Sequence, residues 1–254
     1  MNDEQLLKAR LMDLAKKAYK QNIYTYTGFL APAELSIFDE ISGEFKYVGY
    51  EINGGYEDSE RQMVSFGSEE LFGYENIWPI KILCVEPYIE KFADELSHRD
   101  FLGAVMNLGI DRSVIGDILV KENKKAYIFC HENIFQYITE SLTKIKHTNV
   151  KVHVMEEADN RSLFAPELVD MSLIVSSPRF DAIVAAVTKN SRSETLKLFS
   201  SKKVLRNGRV EERNSVTLKN DDIFSIRGYG KYKFIGCGNE TRKGRLYVNL
   251  KKYK

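Results

Sequence analysis

The stretch SRSETLKLFSSKKVLRNGRV, residues 191–210, decides how the C-terminal third of the chain is read. Ser191 and Glu194 stand in S-x-x-E spacing, so a helix starts here. The serine oxygen can accept from the third helical N–H while the glutamate reaches back to the cap N–H. Leu196 and Phe199 are its expected core positions. At the far end, VLR-NG-RVE carries the Asn-Gly pair that accepts the two positive φ angles of a type I′ hairpin. A two-residue loop sets Arg206 opposite Arg209 and Leu205 opposite Val210. The apolar pair is expected to face the core, leaving two arginines side by side on the other face. Like charges opposed across strands are mildly destabilising, so this pairing points to an anion between them. With Arg192, Lys197, Lys202 and Lys203 the stretch carries six basic side chains. The choice is between a solvated charged face and one that grips phosphate.

The surrounding sequence extends the unit in both directions. SSPRFDAIVAAVTKN precedes it, with Ser177 as the expected N-cap and Pro178 as the first helical residue. Phe180, Ile183, Val184 and Val187 form one apolar stripe. IFSIRG, KYKFIG and RLYVNL follow as β segments. In SIRGYGKYKF, strand alternation sends Tyr232 and Phe234 to the core. Tyr229, between glycines, is the candidate for stacking on a base. Residues 175–254 hold 19 Lys and Arg against 7 Asp and Glu, a net of +12, whereas residues 1–174 hold 18 against 29, a net of −11. The formal charge of +1 for the whole chain hides this asymmetry. A basic third of this kind suits a polyanion, with nucleic acid ahead of an anionic membrane surface.

The rest of the chain reads as mixed α+β. An amphipathic helix opens it (Leu6, Leu7, Leu11, Leu14, Ala15), a short helix restarts after Pro32, and strands flank the Gly54-Gly55 turn, giving a small α+β domain over 1–75. Residues 76–160 read as strand 80–87, helix 92–110 with an interruption near His98–Asp100, strands 115–122 and 125–132, helix 133–145 and strand 150–157. That βαββαβ order is the ferredoxin-like or RRM-like sandwich. Residues 161–174 read as a linker, and 175–254 as the basic C-terminal domain. The composition, 43% hydrophobic and 29% charged, is globular. No apolar run reaches the length of a membrane span, and the N-terminus lacks a secretory apolar region. Three widely spaced cysteines suit reduced thiols in a cytoplasm.

SSPRFDAIVAAVTKNSRSETLKLFSSKKVLRNGRV, together with the later SVTLKNDDIFSIRGYGKYKFIG, resembles an S4 RNA-binding domain. The likeness lies in Arg179-Phe180-Asp181 at the first helix, Ser191-Arg192-Ser193 at the second, the Asn207-Gly208 hairpin and the Arg227-Gly228 strand end. Upstream, LSHRDFLGAVMNLGIDRSVIGDILV and NGGYEDSERQMVSF resemble the central and N-terminal regions of bacterial YlmH-like S4 proteins, whose middle domain is RRM-like. The resemblance implies RNA-facing roles for Arg179, Arg192, Lys202, Lys203, Arg206, Asn207, Arg209 and Arg227. Ser193, Tyr229 and Lys231 complete the candidate set, and Asp181 matches a structural acidic position. Phe180 replaces the family's usual Leu. Lys202 replaces its usual Gly at a helix C-cap, where a left-handed conformation costs a non-Gly residue about 1 kcal/mol.

The same resemblance implies a non-enzymatic protein that binds structured rRNA and tRNA on the large ribosomal subunit, in quality control of stalled peptidyl-tRNA. An RNA-modifying enzyme with its site in the first 160 residues, and a cell-division or membrane-associated factor, are the alternatives. No cofactor or metal is expected: Cys130-His131 lacks a second ligand pair, and His98-Arg99-Asp100 lacks the other kinase motifs. S4-bearing pseudouridine synthases carry a catalytic Asp after the S4 unit, which GRLY (244–247) does not.

Overall fold

The computed structural model describes residues 2–57, 59–155, 164, 168–241 and 244–253. The chain divides into two units, 1–165 and 166–254, both mixed α+β. No described helix is long and apolar enough to cross a membrane.

In the first unit, α1 (Asp3–Gln21) begins on an Asn2/Gln5 capping box and buries Leu11, Ala15 and Ala18. It is followed by β1 (Thr25–Tyr26), α2 (Pro32–Ile41), β2 (Tyr50–Asn53), β3 (Met63–Phe66) and α3 (Glu69–Phe72). The strands form an antiparallel sheet in the order β1-β3-β2. Phe38, Phe45 and Phe66 pack ring against ring beneath it, centroids 4.9–6.3 Å apart.

Next come β4 (Ile80–Pro87), α4 (His98–Met106), β5 (Ile115–Lys121), β6 (Lys125–His131), α5 (Phe135–Ser141), β7 (Lys144–Ile145) and β8 (Thr148–Val154). The antiparallel order β5-β6-β4-β8-β7 places the first and third strands of the βαββαβ series in the middle. Leu83, Val85, Ile128 and Cys130 face Phe101 and Val105 of α4 and Ile138 of α5. The first helix is shorter than the expected 92–110. Residues 90–92 form one tight turn, and the helix starts at His98 on a Ser97/Asp100 capping box. Phe92, the first residue of the expected helix, is 77% exposed. The second helix also ends early, at Ser141, because Lys144–Ile145 pair with β8.

The second unit contains β9 (Leu168–Val175), α6 (Phe180–Thr188), α7 (Arg192–Ser200), β10 (Val204–Arg206), β11 (Arg209–Val210), β12 (Ile223–Ile226), β13 (Gly230–Glu240) and β14 (Leu246–Tyr253). One antiparallel sheet, β11-β10-β12-β13-β14-β9, carries them all. Residues 168–174 were expected within a linker. They are instead a strand in continuous register with β14, from Leu246 opposite Val175 to Tyr253 opposite Leu168. Of the remaining linker stretch, 161–163 and 165–167 lie outside the described residues. Phe180 sits at the centre of the core, edge-on to Phe199 and Phe224 at 5.4 and 5.3 Å, and Tyr232 stacks on Phe224.

The start of α6 differs from the Ser177/Pro178 reading. Arg179 is the N-cap, in extended conformation. The first helical N–H groups are satisfied from outside: Phe180 N–H donates to Val216 O, and Asp181 N–H to Asn214 O. No serine cap is needed at this end.

Candidate nucleic-acid interface

The capping box of α7 is as its spacing requires. Ser191 N–H donates to Glu194 Oε2 at 2.9 Å, and Glu194 N–H donates to Ser191 Oγ at 3.4 Å. These hydrogen bonds from the Ser191 hydroxyl and N–H hold the Glu194 carboxyl below its ordinary range. The helix buries Thr195, Leu198 and Phe199, with Leu196 only half-buried. Arg192 and Ser193 open the helix, exposed. It closes with Lys202 N–H to Phe199 O and Lys203 N–H to Leu198 O, and Lys202 takes the left-handed φ of 57°. This is the Schellman closure that usually recruits glycine.

The hairpin has the expected register, Arg206 opposite Arg209 and Leu205 opposite Val210. Asn207 and Gly208 both have positive φ, 47° and 78°. Its faces, however, are the reverse of the expectation. Val204 is fully buried and Val210 is 43% exposed, so the Leu205/Val210 pair is not the core pair. Arg206 shares the inward side with Val204, two residues away along a strand. The anion that the paired arginines call for is supplied by the chain itself. Arg206 donates from Nε to Asp222 Oδ2 at 2.9 Å, and its Nη2 lies 2.6 Å from the same oxygen. Asn207 Nδ2 donates to Asp222 Oδ1 at 2.7 Å, and Lys219 N–H to Oδ2 at 2.7 Å. Asn207 Oδ1 accepts from Ile223 N–H. Arg206 and Asn207 are thus committed to the fold, and Arg209 is half-buried beside them.

The other candidates are brought together by a chain of contacts. Arg227 N–H donates to Lys203 O at 2.9 Å, which sets these two basic residues side by side. Two residues on, the Tyr229 hydroxyl accepts from Asn190 Nδ2 at 3.1 Å, which ties the Arg227–Gly230 turn to the start of α7. Arg192 and Arg179 line one cavity beyond it. Arg179 donates from Nε and Nη2 to the two carboxylate oxygens of Asp181 at 3.1 and 2.8 Å, and this pairing raises its already high pKa. Among the described residues, Arg192, Lys203 and Arg227 are exposed and make no ion pair. Lys202 reaches Glu212 at 3.6 Å, exposed on both sides, and such a pair holds its lysine only loosely. Lys231 lies apart, its ammonium 4.3 Å from the Tyr253 ring centroid. The reading of residue types alone missed Arg245, which lines the same cavity as Arg179 and Arg192.

The sheet of residues 80–154 has a second face, away from its helices, carrying Tyr127 and Phe129. In RRM-type domains such a face stacks bases. Here the chain covers it. Phe164 sits edge-on to Tyr127 and Phe129 at 5.1 and 5.2 Å, and Tyr56 lies 4.8 Å from Phe129. Gly55 fits under the ring, since a Cβ there would lie 2.6 Å from Phe129. Tyr56 is fixed through its hydroxyl, which donates to Asp117 Oδ2 at 2.7 Å; Asp117 also accepts from the N–H groups of Glu60 and Arg61. Burial pushes the Asp117 carboxyl up. Among the described residues no group of His, Cys, Asp or Glu is arranged to hold a metal ion.

Comparison with known families decides the relationship. Residues 4–71 match the model described as "YlmH, N-terminal", and residues 75–159 match "Putative RNA-binding domain in YlmH". The chain belongs to the YlmH-like family. A curated family relative, "Ribosome-associated protein quality control protein P2" of Bacillus subtilis, is 28% identical over 99% of this chain and 96% of its own length. A solved structure, "Cell division protein ylmH from Streptococcus pneumoniae", is 21% identical with a TM-score of 0.48, covering 61% of this chain and 93% of its own.

Proposed function

We propose that this protein is a non-enzymatic RNA-binding protein that grips structured rRNA and tRNA through its C-terminal unit, an S4 domain. It does so on the large ribosomal subunit, in quality control of stalled peptidyl-tRNA. The observation that carries this reading is the exposed run Lys203, Arg227, Tyr229 and Arg192, joined through backbone and side-chain contacts on a segment of net charge +12. Cations without internal partners are matched by phosphate, and recognition through backbone and shape needs few exposed aromatics. The opposite charge of residues 1–174 disfavours indiscriminate adhesion to RNA. The name of the B. subtilis relative and the description of the 75–159 match both point the same way.

The test is co-sedimentation of the purified chain with ribosomal subunits at low and high salt, with RNA crosslinking. Arg192→Glu/Arg227→Glu should abolish association and leave the folded circular dichroism signal unchanged. Arg206 is not chosen for this test, because Asp222 holds it internally. Retained sedimentation of the double variant would overturn the proposed face.

A further inference from the structure

The cavity between the two helices and the far edge of the sheet contains a residue outside the segment that resembles S4. β9 ends at Val175 and β14 begins at Leu246, directly opposite each other. Arg245 therefore stands across from Ser176, where the chain turns toward α6. Arg179 arrives on the N-cap of α6 and Arg192 on the first residue of α7. Three arginines from three separate parts of the fold line one cavity of about 450 Å³, with Ser177, Thr195 and Asp181 also in its wall. That volume falls in the range of ligand clefts.

The charge in this cavity is not balanced from within. Asp181 is the one carboxylate among the lining residues. It occupies the Nε and one Nη2 donor of Arg179, leaving further N–H donors of that five-donor fork available. Among the described residues, Arg192 and Arg245 make no ion pair, and both are exposed. The first turn of α7 adds the positive end of a helix dipole. Guanidinium groups held around an open cleft match the oxygens of a phosphodiester in both geometry and charge.

We propose that Arg245 completes a phosphate-binding cleft with Arg179 and Arg192, so that the β9–β14 pair supplies one of the RNA backbone contacts. The inference rests on the RNA-binding reading above and adds a role for a strand pair outside that segment. A base-paired RNA hairpin, fluorescently labelled, is the probe, and the full chain is titrated from 50 to 200 mM KCl. Each phosphate contact contributes about 0.7–0.9 to the log–log salt slope. Arg245→Gln should therefore flatten the slope by that amount and lose roughly threefold less affinity than the parent chain across that range. Arg245→Lys should keep most of the slope. Lys252→Gln, the same charge change seven residues on and near the far end of β14, should leave it in place. If Arg245→Gln has the same slope as Lys252→Gln while the parent chain binds with steep salt dependence, Arg245 is not a contact and this inference alone falls. If the parent chain itself shows no salt-dependent binding, the RNA-binding reading falls and takes this inference with it.

Discussion

Removing Asp222 should damage the fold of the C-terminal unit, because its carboxylate is the internal anion of the hairpin. Its side chain is 7% exposed and that of Arg206 19%. Four donated contacts converge on it, two from Arg206, one from Asn207 and one from the Lys219 N–H. In Asp222→Ala the guanidinium stays where it is and loses the carboxylate it is hydrogen-bonded to. Breaking a buried pair from one side costs about 3–5 kcal/mol. Because Arg206 keeps some contact with water, the lower end, about 3 kcal/mol, is the expected loss. Backbone amides of β10 and β12 should then exchange on the order of 100-fold faster wherever exchange follows opening of this unit. Urea unfolding of the full chain should show the same loss. Arg206→Ala should also destabilise, and the double variant should cost clearly less than the sum of the two, a coupling of about 1 kcal/mol or more. A loss below about 1 kcal/mol for Asp222→Ala, additive with Arg206→Ala, would refute the internal-anion account.

Lys202→Gly should stabilise the chain by about 1 kcal/mol, read as a higher urea midpoint, since glycine takes the left-handed φ of 57° without strain. Hydrogen bonds from Lys146 and from the Ser97 hydroxyl and N–H hold the Asp100 carboxyl down at about 2. Its unfolded value is about 3.9, so its contribution is complete above roughly pH 4 and is lost as pH falls toward 2. The urea midpoints of the parent and Asp100→Asn should therefore differ at pH 5, draw together as pH falls, and converge only below about pH 2. Thiol labelling of the native chain should modify Cys237 alone, because Cys84 and Cys130 are buried and burial pushes the Cys130 thiol up to about 12. All three should react in denaturant.

What could be read from residue order was local. The Ser191/Glu194 box, the Asn207-Gly208 turn with its register and the βαββαβ order each follow from spacings within about one element. What escaped depended on partners far along the chain. Strand alternation allowed either face of VLR to be inner. The more apolar pair, Leu205 and Val210, looked like the core, but Val204 packs with Phe180 and Ile226, and Asp222, distant in sequence, makes an inward Arg206 tolerable. Residues 168–174 passed as linker because their strand shows itself only in partners far along the chain, in the pairing with β14 and in the packing of Met171 and Leu173 against the C-terminal core. The closed face of the central sheet depends on Tyr56 and Phe164, which flank that domain's strands from opposite ends of the sequence. Arg245 gave no local signal, and only the Leu246–Val175 pairing brings it near Arg179.

The most direct measurement is a residue-level map of RNA crosslinks on the full chain bound to ribosomal subunits. The account predicts crosslinks at Arg192, Lys203, Arg227 and Tyr229, with none on Tyr127 or Phe129, whose face is filled by Phe164 and Tyr56. Crosslinks concentrated on Tyr127 and Phe129, with the C-terminal positions silent, would contradict it.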